Sequence, residues 1–144
     1  VLRQFDKTTR ILRFHTDARS EKVKELFSNP NVAIHIYDPF EKIQIRLDCI
    51  VQTHQQNNLS RDAWTKTKTQ SRLCYQITSD PGKQISNPYN VAYDATKTDD
   101  GQINFLVLHA VINKIEWLYL HHRGHRRAEF VWVKHRWNGA WLVP

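Results

Sequence analysis

Apolar and polar residues alternate most cleanly from Lys42 to Gln52, where Ile43, Ile45, Leu47, Cys49 and Val51 interleave with Gln44, Arg46, Asp48, Ile50 and Gln52. A period of two marks a strand with one face in a core and one face outside it. Shorter strand-like runs lie at Val1–Phe5, Arg10–Phe14 and Val32–Tyr37; the first two form a hairpin across residues 6–9. Between them Val23, Leu26 and Phe27 take helical spacing. This predicts a helix over Ser20–Ser28, capped by Ser20, favoured at its start by Glu21 and stopped by Asn29-Pro30. A second short helix is predicted over Ser60–Thr69, with Ser60 as cap and Ala63 and Trp64 inward.

Residues 78–102 carry Pro81, Gly82, Pro88 and Gly101 with little periodicity, and read as a long loop. Asn104–Val111 and Lys114–Leu120 are apolar on both faces, as strands inside a sheet or barrel are. Ala128–His135 and Ala140–Val143 read as a closing hairpin across Asn138-Gly139, a dipeptide favoured in two-residue turns. Many antiparallel strands with a few short helices predict a mainly β, barrel-like single domain over residues 1–144. The chain begins at Val1 without an initiator methionine, so further residues are expected upstream.

Charge adds a constraint. A net charge of +7 and a pI near 9.6 favour anionic ligands. The basic residues are dispersed, however, and are dense only in His121–Arg127. The longest apolar run is broken by His109, Asn113, Lys114 and Glu116 and does not read as a membrane span. Cys49 and Cys74 have no metal or CxxC spacing and suit free thiols in a reducing, cytoplasmic setting. His121 and His122 are neighbours on a strand and cannot both face one ion, so no metal is expected.

The candidate chemistry gathers at Phe14–Lys22. There a strand runs through a polar turn into a helix, placing the hydroxyls of Thr16 and Ser20 and the cations of Arg19 and Lys22 at a helix N-terminus, a setting suited to phosphate. Arg3 can add charge. Gln44, Gln70 and Ser71 can supply hydrogen bonds to a ring edge, and Trp117 and Tyr119 an aromatic wall.

These stretches resemble the FMN-binding split barrels of the pyridoxamine 5′-phosphate oxidase-like family. The matching segments are Val1-Leu2-Arg3, Phe14–Lys22, Gln44 near the start of its strand, Gln70-Ser71 after a helix, Ile115-Glu116-Trp117-Leu118 and the closing Trp141–Pro144. The resemblance implies a Greek-key-like split β-barrel that forms homodimers with FMN at the interface, and an oxidoreductase of unknown substrate. It implies cofactor contacts from Arg3, His15, Thr16, Arg19, Ser20, Lys22, Gln44, Arg46, Gln70, Ser71 and Trp117, and substrate contacts from His125, Arg126 and Arg127. The family's Arg-x-His substrate clamp is matched only at Arg126, because Ala128 or Glu129 falls where the histidine belongs; vitamin B6 phosphate oxidation is therefore not implied. Two other readings remain: a flavin- or other anionic-cofactor-binding module without turnover, and a single-strand nucleic-acid barrel using Trp64, Tyr75, Tyr89, Tyr93 and Trp137.

Overall fold

The computed structural model describes residues 1–91 and 99–144. Tyr93 and the middle of the expected 78–102 loop lie outside the described residues. The strands are β1 (Leu2–Asp6), β2 (Ile11–Asp17), β3 (Asn31–Asp38), β4 (Ile43–Gln55), β5 (Phe105–Tyr119), β6 (Arg126–Val133) and β7 (Arg136–Leu142). The helices are α1 (Glu21–Ser28), α2 (Asn58–Thr65) and α3 (Thr69–Arg72), with single 3-10 turns at Leu73–Tyr75 and Asp100–Asn104. None is long and apolar enough to cross a membrane.

All strand pairings are antiparallel, in the order β1-β2-β5-β4-β3, with the β6–β7 hairpin attached to β5. The two strands expected at 104–111 and 114–120 are one strand of 15 residues. Its first half pairs β2 from Phe105 to Val111, and its second half pairs β6 from Lys114 to Tyr119. Strand β4 runs along both halves, and a register shift opposite Asp48 and Cys49 leaves Asn113 unpaired. A bulge of this kind reverses which alternate side chains face inward. Leu106, Leu108, Ala110 and Ile112 point into the core before it, and Ile115 packs on the same core after it.

The barrel core joins Leu12, Leu47, Cys49, Val51, Leu106, Leu108, Ala110 and Ile112, with Val23 of α1 as its plug. Each buried Leu, Ile or Val side chain contributes about 1.5–3 kcal/mol through burial. A second cluster lies on the opposite face of the sheet. Trp64 and Ala63 of α2 cover Phe105 and Val107, and the rings of Trp64, Tyr75 and Phe105 meet edge-on at 5.1–5.7 Å. Gly101 makes this possible, since a Cβ there would stand 2.9 Å from Tyr75 Cβ. Trp64 and Tyr75 are therefore core residues, which removes them from any nucleic-acid surface.

Several local expectations are corrected. Asn57, not Ser60, caps α2: its side chain accepts from Ser60 N–H at 3.0 Å, while Ser60 Oγ accepts from Asn57 N–H at 3.0 Å. The helix expected over Ser60–Thr69 ends at Thr65; Gln70 and Ser71 follow it, as expected, but lie in a separate short helix, α3. The last hairpin turns at Lys134 and His135, both with positive φ (50° and 62°), where Trp132 and Trp137 pair just inside the tip. Asn138 and Gly139 sit within β7. The Phe130 ring lies on Gly139; a Cβ there would meet Phe130 Cε1 at 2.8 Å and displace the ring.

Arg10 stands where the barrel splits. With φ 61° it ends the β1–β2 turn, its carbonyl accepts from Ile112 N–H at 3.0 Å, and its guanidinium donates to the Ile112 carbonyl beside the bulge. The same guanidinium lies 4.2 Å from the Trp132 ring centroid, tying β2 to β6. Arg10→Ala is expected to lower unfolding stability by about 1–3 kcal/mol through loss of the charged hydrogen bond, measured by urea denaturation. A loss within a few tenths of a kcal/mol contradicts this role.

Candidate functional site

The turn between β2 and α1 is organised by Asp17. This buried carboxylate accepts from the Arg19 backbone N–H at 2.9 Å, from Arg19 Nε at 3.0 Å and from Arg19 Nη2 at 2.8 Å. Arg19 also reaches Asp80 at 3.7 Å and the Thr78 carbonyl at 3.4 Å. The hydrogen bonds that Arg19 donates to Asp17 raise the Arg19 pKa. Arg19 is thus not an open cation at a solvated helix start, as the sequence suggests, but an internal brace. Ser20 is also spoken for: its Oγ donates to the Asp17 carbonyl at 2.8 Å and makes no side-chain cap. Val23 N–H donates to the Ser20 carbonyl at 2.9 Å, which leaves the first-turn N–H groups of Glu21 and Lys22 without a partner among the described residues.

What remains at this helix start is Thr16, whose Oγ1 lies 3.4 Å from Ser20 Oγ, and Lys22, which has no acidic partner among the described residues. They line a cavity of about 430 Å³ with Tyr75, Ile77 and residues 79–83. Lys22 also borders a cavity of about 630 Å³ between α1 and β3, walled by Phe14, Leu26 and Ile34.

A third cavity, of about 490 Å³, lies across β2. Arg3, Arg13, His15, Lys66, Lys68 and Ser71 line it, with no carboxylate among its walls. Both His15 ring nitrogens are buried without a hydrogen-bond partner among the described residues, and the ring meets Phe105 edge-on at 4.8 Å. Burial first, then Arg3 and Arg13, push the His15 pKa down to about 4. On the same sheet face Arg13 Nε donates to His109 Nε2 at 3.0 Å, which requires a neutral imidazole there. His109 stands 4.7 Å from the His54 ring, and burial, His54 and Arg13 push its pKa down to about 4. His54 is lowered by burial and then by Arg13.

The candidate residues thus fall into separate places within one chain. Thr16, Arg19, Ser20 and Lys22 share the helix-start cavity, and Arg3, His15 and Ser71 share the basic one. Gln70 is exposed on α3. Gln44 and Arg46 lie on the outer face of β4, where Arg46 Nε approaches Asp48 at 3.4 Å. Trp117 lines an apolar groove of about 750 Å³ on β5–β7. His125 Nδ1 accepts from the His121 N–H at 3.2 Å and so shapes its turn. Arg127 is bound to Glu116 at 2.6 Å, and Lys114 bridges Glu116 at 3.0 Å and Glu129 at 3.1 Å. Glu129 is thereby neutralised on the outer face, leaving Arg126 with no partner among the described residues. Sequence reasoning missed Arg13, Lys66 and Lys68. The alternation of Arg13 with His15 on one strand is the signal that could have found the first.

The match to known proteins follows the same region. Residues 1–55 match the family model "Pyridoxamine 5'-phosphate oxidase, FMN-binding domain". The fold is the split barrel of pyridoxamine 5′-phosphate oxidase-like proteins. A pyridoxamine 5′-phosphate oxidase-related, FMN binding protein from Nostoc punctiforme superposes with a TM-score of 0.77 at 21% identity, over 100% of this chain and 78% of its own. PhzG from Burkholderia lata, solved with tetrahydrophenazine-1-carboxylic acid, gives 0.75 at 14% identity, over 99% of this split barrel and 72% of PhzG. A comparison with curated protein sequences finds no significant match.

The depressed histidines set a pH dependence. A histidine whose folded pKa is about 4, against about 6.5 unfolded, binds its proton more readily unfolded. Stability is therefore complete above about pH 6.5 and declines as pH falls towards 4. His109→Gln keeps an acceptor for Arg13 without titrating. Its melting temperature is expected to fall less than the wild type's between pH 7 and pH 4.5; equal falls contradict the assignment.

Proposed function

We propose that this split barrel binds FMN and works as a homodimeric oxidoreductase. The observation that carries the reading is the helix-start cavity, which holds Lys22, without an acidic partner among the described residues, the Thr16 hydroxyl and the uncapped N–H groups of Glu21 and Lys22 inside the segment matching an FMN-binding domain. These donors and this charge fit a phosphate. The basic cavity across β2 adds Arg3 and the His15 ring, whose nitrogens have no hydrogen-bond partner among the described residues. Gln44, Arg46 and Trp117 lie apart from these cavities within one chain, and a site built from two chains is the arrangement that would use them. Bound flavin supplies hydride or electron transfer; the chain's residues bind it, orient it and exclude water.

In this scheme Asp17 holds Arg19 and Ser20 so that Lys22 and the helix N–H groups face the ligand. Lys22→Ala is the direct test, because Lys22 is exposed and Arg19 is left in place. It is expected to weaken FMN by about 1.5–3 kcal/mol and to leave riboflavin, which has no phosphate, unchanged. Calorimetry with both ligands reads the difference, and an equal effect on the two contradicts a phosphate role. A flavin-binding module without turnover is the second reading. Anaerobic reduction by nicotinamide cofactors separates it from an oxidoreductase.

Activity on vitamin B6 phosphates is expected to be poor. Arg127 is committed to Glu116, and Ala128 stands on the groove face beside Arg126, so only Arg126 is left to grip a substrate anion there. Peroxide release from pyridoxamine or pyridoxine phosphate at about 1 per second or faster, a rate ordinary for enzymes, refutes this.

A further inference from the structure

One wall of the helix-start cavity is not part of the β2–α1 turn at all. It comes from the segment between Ile77 and Ile85, more than fifty residues further along the chain. Within it, Asp80-Pro81-Gly82-Lys83 is a turn closed by a hydrogen bond from Lys83 N–H to the Asp80 carbonyl at 3.2 Å. A proline in second place and a glycine with φ 89° in third place are what a type II turn asks for. Arg19 joins this turn to the rest of the site. Its Nη1 donates to the Thr78 carbonyl at 3.4 Å, and its Nε lies 3.7 Å from an Asp80 carboxylate oxygen. The same guanidinium holds Asp17 on β2 at 2.8 Å, so one side chain ties two walls of the cavity together.

Charge then decides which residue makes the cavity an anion site. Its charged walls among the described residues are Asp17, Arg19, Lys22, Asp80 and Lys83. The two carboxylates share the single guanidinium of Arg19, which leaves one negative charge. Lys22 only cancels it. The start of α1 adds about half an elementary charge, little to set against the desolvation of a phosphate dianion. Lys83 is the side chain that turns a nearly neutral cavity positive. We propose that Lys83 is the second cation of the phosphate site, delivered by the type II turn to the same anion that Lys22 meets from α1. This rests on the flavin reading for the identity of the ligand; the pairing of the two lysines on one phosphate can be read without flavin.

Calorimetry with FMN, with riboflavin and, on flavin-free protein, with inorganic phosphate tests this. Lys83→Gln, at an exposed position, is expected to weaken FMN about tenfold, the scale of one charged hydrogen bond, and to leave riboflavin affinity and the melting temperature unchanged. Lys83→Arg keeps the charge and is expected to restore most of the FMN affinity. Gly82→Ala also keeps the charge but strains the turn at φ 89°, and is expected to weaken FMN while sparing riboflavin. FMN affinity unchanged in Lys83→Gln, while Lys22→Ala weakens it, overturns the role of Lys83 and leaves the flavin reading standing. FMN affinity unchanged in both lysine variants puts the phosphate elsewhere and overturns the proposal as well. Inorganic phosphate that binds the wild type and is lost in both lysine variants, in a chain that takes no FMN, overturns the flavin reading alone. A wild type that binds neither FMN nor phosphate overturns both.

Discussion

The bulge at Asn113 is the constraint on which the architecture depends. Strand β5 must serve two neighbours in succession, β2 along its first half and β6 along its second. A regular strand would turn Lys114 and Glu116 inward once the core side chains of the first half are set. The unpaired residue reverses the alternation, so Ile115 and Trp117 continue the inner face and the charged residues pair outside. Arg10 secures the change by holding the Ile112 backbone on both its donor and acceptor sides while lying over Trp132. The packing of Ile115 on the barrel core and the apolar groove are two results of one local irregularity.

Polar chemistry is distributed by the same sheet. The inner face is nearly all hydrocarbon. The face under α2 carries Arg13, His15, His54 and His109, whose imidazoles are kept neutral by burial and by the arginines beside them. The helix-start turn, at the open end of β2, has another logic: a buried aspartate, with Asp80 and the Thr78 carbonyl, engages one arginine, while Lys22 and the N–H groups of Glu21 and Lys22 have no partner among the described residues. A site of this kind is positive through what its neighbours leave uncompensated, not through the number of cations near it.

Much of the fold was legible because it follows from side-chain period. Alternation along 42–52 marked β4, and the spacing of Val23 and Leu26 marked α1. The bulge was not legible. Apolar residues on both sides of Asn113 read as two strands, since composition does not reveal that a neighbour runs unbroken alongside. In the site, Lys22 and Thr16 could be placed at a helix start from local sequence. The engagement of Arg19 with Asp17, two residues away, and of Arg127 with Glu116 across a strand pair depends on register and rotamer, which residue types do not specify. Lys66 and Lys68 join Arg3 only through the docking of α2 on the sheet.

The tip of the last hairpin carries a lesson about how such chains encode their pairing. Lys134 and His135 adopt left-handed conformations that cost ordinary residues energy, while the glycine suited to such a turn lies inside β7 beneath a phenylalanine ring. Alignment of the two strands is therefore written in the Trp132–Trp137 contact and the Phe130–Gly139 fit, and the loop merely follows. Relatives could vary freely at the tip and keep their registration. A search for kinship keyed to the turn dipeptide would place the hairpin several residues too late, whereas one keyed to the facing aromatic and glycine would find it.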